Sequence, residues 1–249
     1  DLISEIKNDV KPNCKISVMM DSWRYDVDRL PPSSETDIDL VRVCSYEEQL
    51  DEALEKCRGL KDLGYEVSLN VICTSYIDVD SFVKIREKLL TEDFLDFVCF
   101  ADSYGALTPD YVKKIMTLFR NMNPNVLIGF HSHDNMSLSM ANTITAIENG
   151  ADMVDGTYTG MGRGGGNLRL ELITLYLALN KDYNFELSDL FEYLDVYITD
   201  ESRKKRTKEA ICGMLNVHPY RLDQIKEKPI SEIFEELRVL DLDRKKRYP

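Results

Sequence analysis

One pattern limits the folds open to this sequence more than any other. Six times a short run of apolar and β-branched residues is followed by a longer stretch. The runs are KISVMM (15–20), IDLVRV (38–43), EVSLNVI (66–72), LDFVCFA (95–101), VLIGFH (126–131) and ADMVDGT (151–157). The spacing predicts strands there and helices at about 46–62, 79–90, 109–122, 137–149 and 169–180. Thr108 and Pro109 suit the N-cap and first position of the third of these helices. Gly150 suits a left-handed cap after SMANTITAIEN, a helix on which Leu138, Ala141, Ile144 and Ile147 share one face. Repeated strand–helix units predict a parallel sheet with right-handed crossovers. Runs such as VLIGF, apolar at every position, predict burial on both faces. A doubly wound sheet and a (β/α)8 barrel both satisfy this, although six strands are too few to close a barrel. DLISEIKNDV at the start reads as part of a helix. Beyond residue 181 the strand pattern stops, and LSDLFEYLDVYI and ISEIFEELRVL read as helices. The expected division is therefore an α/β part, 1–181, and a C-terminal helical segment, 182–249.

Charge removes several function classes. The 249 residues carry a formal net charge of −13, which opposes binding to nucleic acid or to an anionic membrane surface. No apolar stretch approaches the roughly 20 residues of a membrane span, and no signal-peptide pattern is present. The six cysteines form no CxxC pair, and Cys73 and Cys99 fall in apolar runs as buried thiols. A cytoplasmic protein is expected. The basic runs RKKRTK and RKKRYP read as solvated helix faces or tail, and His218, before Pro219, reads as structural at a helix start.

Polar residues inside buried strands are the informative exceptions, because burying them without partners is costly. Arg42 lies in LVRVC. Ser68 and Asn70 share a face of VSLNV, and His131 and His133 share a face by the same two-residue period. Near the carboxyl ends of parallel strands, such residues converge where these folds place active sites. An HxH on a strand aims two imidazoles at one ion; two satisfied polar residues at a strand end are the alternative. Asp102 also ends a strand, in ADSYGALTP, where it serves chemistry or braces the loop. DGTYTGMGRGGGN (155–167) lets backbone wrap a ligand, or simply connects strand to helix. It matches neither a Walker A loop nor a dinucleotide fingerprint.

Together GFHSHDNMSLSMANTITAIENGADMVDGTYTGMGRGGGNLRLE and DSYG with TP resemble the metal-dependent pyruvate aldolases of the 4-hydroxy-2-oxovalerate aldolase type. The matching positions are Gly129, His131, His133, Asn135, Ser137, Leu138, Ala141, Asn142, Val154, Asp155, Gly160, Met161, Gly162, Gly164, Gly166 and Asn167. The wider metallolyase group includes isopropylmalate and homocitrate synthases and hydroxymethylglutaryl-CoA lyase. The resemblance is specific over 95–171, plausible from 15 onward and faint in the C-terminal helices.

It implies a (β/α)8 TIM barrel of which this chain carries strands three to eight, plus C-terminal helices. It implies a divalent ion (Mn²⁺ or Mg²⁺, with Zn²⁺ compatible) held by His131 and His133, with Asn167 as an oxygen ligand. Arg42, Asn70 and Asp102 are the catalytic candidates. Ser103, Arg163, Gly164, Gly165 and Gly166 are the substrate-binding candidates. The implied reaction splits a 4-hydroxy-2-oxo acid into pyruvate and an aldehyde, or joins them. The implied partner is a small 2-oxo acid, with a homo-oligomer or a partner dehydrogenase left open. The family's Arg-Asp-Gly at the end of its first strand is missing; MMDSWRYD holds Asp21 and Arg24 in the wrong order. Two further strand–helix units, roughly 60–80 residues at about 30 per unit, are expected before Asp1 to supply that Arg and Asp. KISVMM and ADMVDGT are then the open edges. No residue stands out as general base. Asp134, often His in the aldolases, leaves open a Claisen-type acyl-CoA enzyme of the same barrel group. A non-catalytic, barrel-derived binding protein is the third reading.

Overall fold

The computed structural model describes residues 2–9, 11, 13–181 and 183–241. The chain divides into two compact units, Asp1–Asp155 and Gly156–Pro249, each with its own buried apolar cluster. The division falls before the loop 156–169, earlier than the point where the strand pattern stops.

The first unit opens with helix α1 (Leu2–Asp9). Six parallel strands follow in sequence order: β1 (Ser17–Asp21), β2 (Leu40–Ser45), β3 (Glu66–Val71), β4 (Phe97–Asp102), β5 (Leu127–Ser132) and β6 (Met153–Asp155). Helices α2 (Leu50–Asp62), α3 (Val79–Leu89), α4 (Pro109–Phe119) and α5 (Ser139–Glu148) connect the strands from β2 onward. The sheet starts at β1 and ends at β6, which do not pair with each other. This is part of a (β/α)8 barrel.

One ion pair shows that the sheet is rolled. In a flat sheet β2 and β6 lie four strand spacings apart, roughly 19 Å at about 4.8 Å each. An arginine and an aspartate cannot span that together. Yet Arg42 on β2 donates to both carboxylate oxygens of Asp155 on β6, at 3.0 and 2.7 Å. The two-residue period then sorts each strand. Val41, Val43, Val67, Leu69, Val71, Val98, Phe100, Ile128 and Phe130 belong to the apolar core cluster. The alternate positions form the concave face; Arg42, Cys44, Ser68, Asn70, Cys99, Gly129 and His131 make its middle small or polar, while Met19, Leu40, Phe97, Leu127 and Met153 lie on the same face. The unbroken apolar run VLIGF therefore serves one apolar face only. Its glycine faces inward, where a Cβ at Gly129 would lie 3.0–3.1 Å from Met153 and Cys99.

An aspartate device recurs at the start of alternate strands. Asp39, Asp96 and Asp152 immediately precede β2, β4 and β6 or lie within a residue of them. Each carboxylate accepts the backbone N–H of a residue on or beside the neighbouring strand: Ile16 at 2.7 Å, Val67 at 2.8 Å and Ile128 at 2.8 Å. A one-residue slip would break these bonds and turn every side chain to the wrong face.

Helix starts match the sequence signals with one amendment. Pro109 occupies the first turn of α4, but the Thr108 side chain makes no capping bond. Gly150 has φ +105° after α5, as a left-handed cap requires. The buried face of α5 differs from expectation. It consists of Ser139, Asn142, Thr143 and Ala146, whereas Leu138, Ile144 and Ile147 are half-buried and Ala141 is exposed. Small side chains let this helix pack closely against its neighbours.

The second unit holds α6 (Leu170–Asn180), α7 (Leu187–Tyr197), α8 (Glu201–Met214), α9 (Pro219–Ile225) and α10 (Ile230–Asp241). RKKRTK lies in α8, a helix the apolar pattern does not announce, and RKKRYP lies outside the described residues. His218 caps α9, its ring nitrogen accepting from Tyr220 N. Among the described residues no helix is long and apolar enough to cross a membrane.

Candidate metal centre

His131 is the penultimate residue of β5, and His133 follows two residues later, so the strand period aims both rings to one side. Their centroids are 5.1 Å apart. Nδ1 of His131 lies 3.0 Å from Oδ2 of Asp155, its register partner on β6. Burial alone would raise the Asp155 carboxyl, but hydrogen bonds from His131 and Arg42 hold it down at about 2. An ionised carboxylate can only accept, so Nδ1 donates to it, and in the neutral ring Nε2 then keeps its lone pair. A histidine that binds a metal through Nε2 uses that tautomer, and a carboxylate behind the ring is one common partner of its other nitrogen.

All three nitrogens of the Arg42 guanidinium have partners within the protein. Besides the fork on Asp155, Nη2 lies 3.5 Å from Sγ of Cys99. With the Asn70 amide oxygen facing Arg42, it accepts from Nε at 3.2 Å and Nη2 at 3.0 Å, while Nδ2 donates to Ser68 Oγ at 2.7 Å. Burial works against the guanidinium charge, but Asp155 outweighs it and pushes the pKa upward. A polar layer thus runs from Ser68 and Asn70 through Arg42 and Asp155 to His131. In the sequence Asp155 stands out only as a carboxylate inside a strand and as one position of the family resemblance. Its partner is 113 positions away.

Asp102 is fully buried. Its two oxygens accept the backbone N–H groups of Ala106 and Leu107 at 3.0 and 3.1 Å. In this structure it braces the loop after β4. Ser103 Oγ accepts from Cys73 N at 2.9 Å. Gly105 has φ +56°, and a Cβ there would sit 2.6 Å from Asn135 N and 2.9 Å from His133 O. The loop after β4 therefore supports the backbone carrying the second histidine, and needs glycine to do so. Asp134 accepts from Ser139 N at 3.0 Å and tethers the start of α5.

The remaining candidates belong to the second unit. The loop 156–169 is cross-braced: Asn167 N donates to Gly160 O at 3.0 Å, and Thr157 Oγ1 and Asn167 Nδ2 both donate to Met161 O. Gly164 and Gly166 have φ +65° and +94°. A Cβ at Gly166 would meet Gly160 O at 2.3 Å. Arg163, Gly164 and Gly165 are exposed, while Gly166 is buried. Oδ1 of Asn167 is buried without a hydrogen-bond partner, and Gly162 leaves room for that side chain. An orphaned buried carbonyl oxygen is a costly arrangement unless a ligand completes it.

These groups fit a divalent ion in part. Within the first unit, the two neighbouring imidazoles, His131 oriented by Asp155, suit a borderline cation. Among the described residues no three His, Cys, Asp or Glu side chains converge on one point, so carboxylate coordination is not supplied by them.

The geometry has known counterparts. Residues 7–196 match the HMGL-like family model. The chain belongs to the HMGL-like family. It is 31% identical over 182 residues to a 4-hydroxy-2-oxovalerate aldolase of Bacillus cereus, covering 73% of this chain and 52% of that protein. A 4-hydroxy-2-oxovalerate aldolase of Thermomicrobium roseum is 31% identical over 169 residues, covering 66% of this chain and 47% of that protein. The chain thus spans about half the length of these curated relatives. Among solved structures, the N-terminal domain of a putative aldolase from Bacteroides vulgatus is 25% identical with a TM-score of 0.63, over 95% of this chain and 76% of that one. The carboxyl transferase domain of Rhizobium etli pyruvate carboxylase, in a structure with pyruvate, shares the fold at 17% identity and a TM-score of 0.59, over 68% of this chain and 31% of that one.

Proposed function

We propose that this chain carries the metal-binding part of an aldolase that cleaves a 4-hydroxy-2-oxo acid to pyruvate and an aldehyde, or runs the reverse. The observation that carries this reading is His131 with Asp155 behind it and His133 beside it, on a family fold whose curated relatives bear that aldolase name. His131 Nε2 and His133 would hold the ion, with Asn167 Oδ1 the further oxygen ligand that the family resemblance implies; when bound, the ion would supply Lewis-acid chemistry toward a 2-oxo acid. Arg163 and the Gly164–Gly166 backbone suit the substrate carboxylate. Ser103 stands at the end of β4, on the rim that bears the histidines. Asn70 and Arg42 order the floor beneath them. Imidazole ligands favour Mn²⁺ or Zn²⁺ somewhat over Mg²⁺. A cytoplasmic location accords with six free thiols. A homo-oligomer or a partner dehydrogenase belongs to the same proposal.

The test is calorimetric titration with Mn²⁺, followed by a coupled assay for pyruvate released from 4-hydroxy-2-oxo acids. One ion per chain is expected, lost in His131→Ala and in His133→Ala with the fold retained. Unchanged stoichiometry in both variants overturns the assignment. Thiol release from an acyl-CoA without pyruvate formation selects the Claisen-type reading.

A further inference from the structure

We propose that Arg42 is a positioning residue: its fork clamps Asp155 against Nδ1 of His131, fixing that imidazole as the Nδ1–H tautomer with Nε2 presented to the mouth. The proposal rests on the metal-centre reading for its purpose, but its structural content stands on the polar layer alone. Free neutral imidazole has no carboxylate to select its tautomer. Here the selection comes from Asp155, and both oxygens of that carboxylate are held by Arg42.

Two features show Arg42 committed to Asp155. Both of its Nη atoms bind that one carboxylate, at 3.0 and 2.7 Å. The third nitrogen and the rest of Nη2 are held by Asn70, itself fixed by Ser68, and by Cys99. Its side chain is 12% exposed. A guanidinium kept for a substrate carboxylate would present a free edge of two N–H groups to the mouth. This one spends that edge on Asp155. The bond also spans β2 to β6, so it ties the curvature of the sheet to the aim of the ring. Arg42 therefore acts on the centre through Asp155 and His131, without touching the reacting atoms.

The test uses the full chain with ¹⁵N-labelled histidine, at a pH where His131 is neutral. Long-range ¹H–¹⁵N spectra report which ring nitrogen carries the proton, without metal or turnover. In the parent protein His131 is expected wholly as the Nδ1–H form. Arg42→Met, and Arg42→Lys as the variant that keeps charge but loses the fork, are expected to give mixed tautomers. Mn²⁺ affinity should fall about 10- to 100-fold, the range for losing an outer-shell partner. Asp155→Ala should do the same, and Arg42→Met should add little to it. Circular dichroism checks that each variant is folded; if Arg42→Met is not, Arg42→Lys decides. Retention of the Nδ1–H tautomer and of Mn²⁺ affinity in a folded Arg42 variant, with turnover alone lost, overturns the proposal and makes Arg42 a substrate ligand. If the parent protein binds no Mn²⁺ but the tautomer still scrambles, the positioning role stands and the metal-centre reading falls.

Discussion

At the residue scale, a buried polar group is explained by the partners it has. Asp102 ends a strand at the candidate mouth, as a catalytic carboxylate would, yet both oxygens are occupied by loop N–H groups. Removing the acceptors leaves two buried donors unsatisfied, at about 1–3 kcal/mol each. Asp102→Ala should therefore lower stability by about 2–4 kcal/mol in urea unfolding, and Asp102→Asn by less. Any loss of turnover should track that loss of stability. Full stability with abolished turnover in Asp102→Asn would restore the catalytic role. The cysteines give a second residue-scale expectation. Burial pushes Cys44 up to about 11 and Cys57 and Cys99 to about 12, and it raises Cys212 as well. Cys73 is buried and Cys14 is exposed. Since the thiolate is the reactive form, an aromatic disulfide reagent near pH 8 should find one fast thiol in the folded protein. It should find six in denaturant.

At the element scale, each strand and most helices were legible, because a two-residue or 3.6-residue period is local. What a period cannot say is which distant strand a side chain will meet. Arg42, Asn70 and His131 stand out as polar intrusions, but their connection through Asp155 depends on the sheet's curvature. The misjudged face of α5 has a related cause. Hydrophobicity selects Leu138, Ile144 and Ile147, whereas close packing selects the small residues Ser139, Thr143 and Ala146. Ala146, fully buried, should not tolerate bulk: Ala146→Leu is expected to cost about 1–3 kcal/mol by overpacking. Ala141→Glu, on the exposed side, should stay within about 0.5 kcal/mol. The role of the strand-start aspartates is likewise invisible to hydropathy, which marks them only as polar positions near the start of each run. Asp39 shows their pH signature. The hydrogen bond from Ile16 N is the main influence lowering its pKa from 3.8; partial burial opposes this and Lys7 assists it. A depressed carboxyl contributes stability above its unfolded value that is lost as pH falls through the folded one. The parent should thus exceed Asp39→Asn in stability at pH 7, and the gap should close as the pH drops below about 3.8 and through the lower folded value.

At the scale of the whole molecule, the sheet has two ends, and the chemistry of its outer edges decides how copies of this chain behave. On the inner side of β1, Ser22 N donates to Cys44 O and Ile16 O accepts from Leu40 N. Even-numbered residues of this segment therefore bond toward β2, and by strand alternation the N–H of Met19 points to the opposite edge. Among the described residues no strand pairs there. Met19 is 64% exposed, and no lysine or proline within β1 blunts the edge. Such an edge is a template for another strand, whether from a longer form of the same protein or from a second copy. The 249-residue chain should accordingly associate in a concentration-dependent way, seen as rising apparent mass in light scattering. Met19→Lys should suppress that association, because a charge on the edge must be desolvated before a strand can add. It should leave the urea midpoint nearly unchanged, since the residue is largely exposed. The outer edge of β6 offers an internal comparison: only three residues long, it gives a joining strand fewer backbone bonds. If Met19→Lys leaves the mass–concentration curve where it was, the β1 edge is not the site of association.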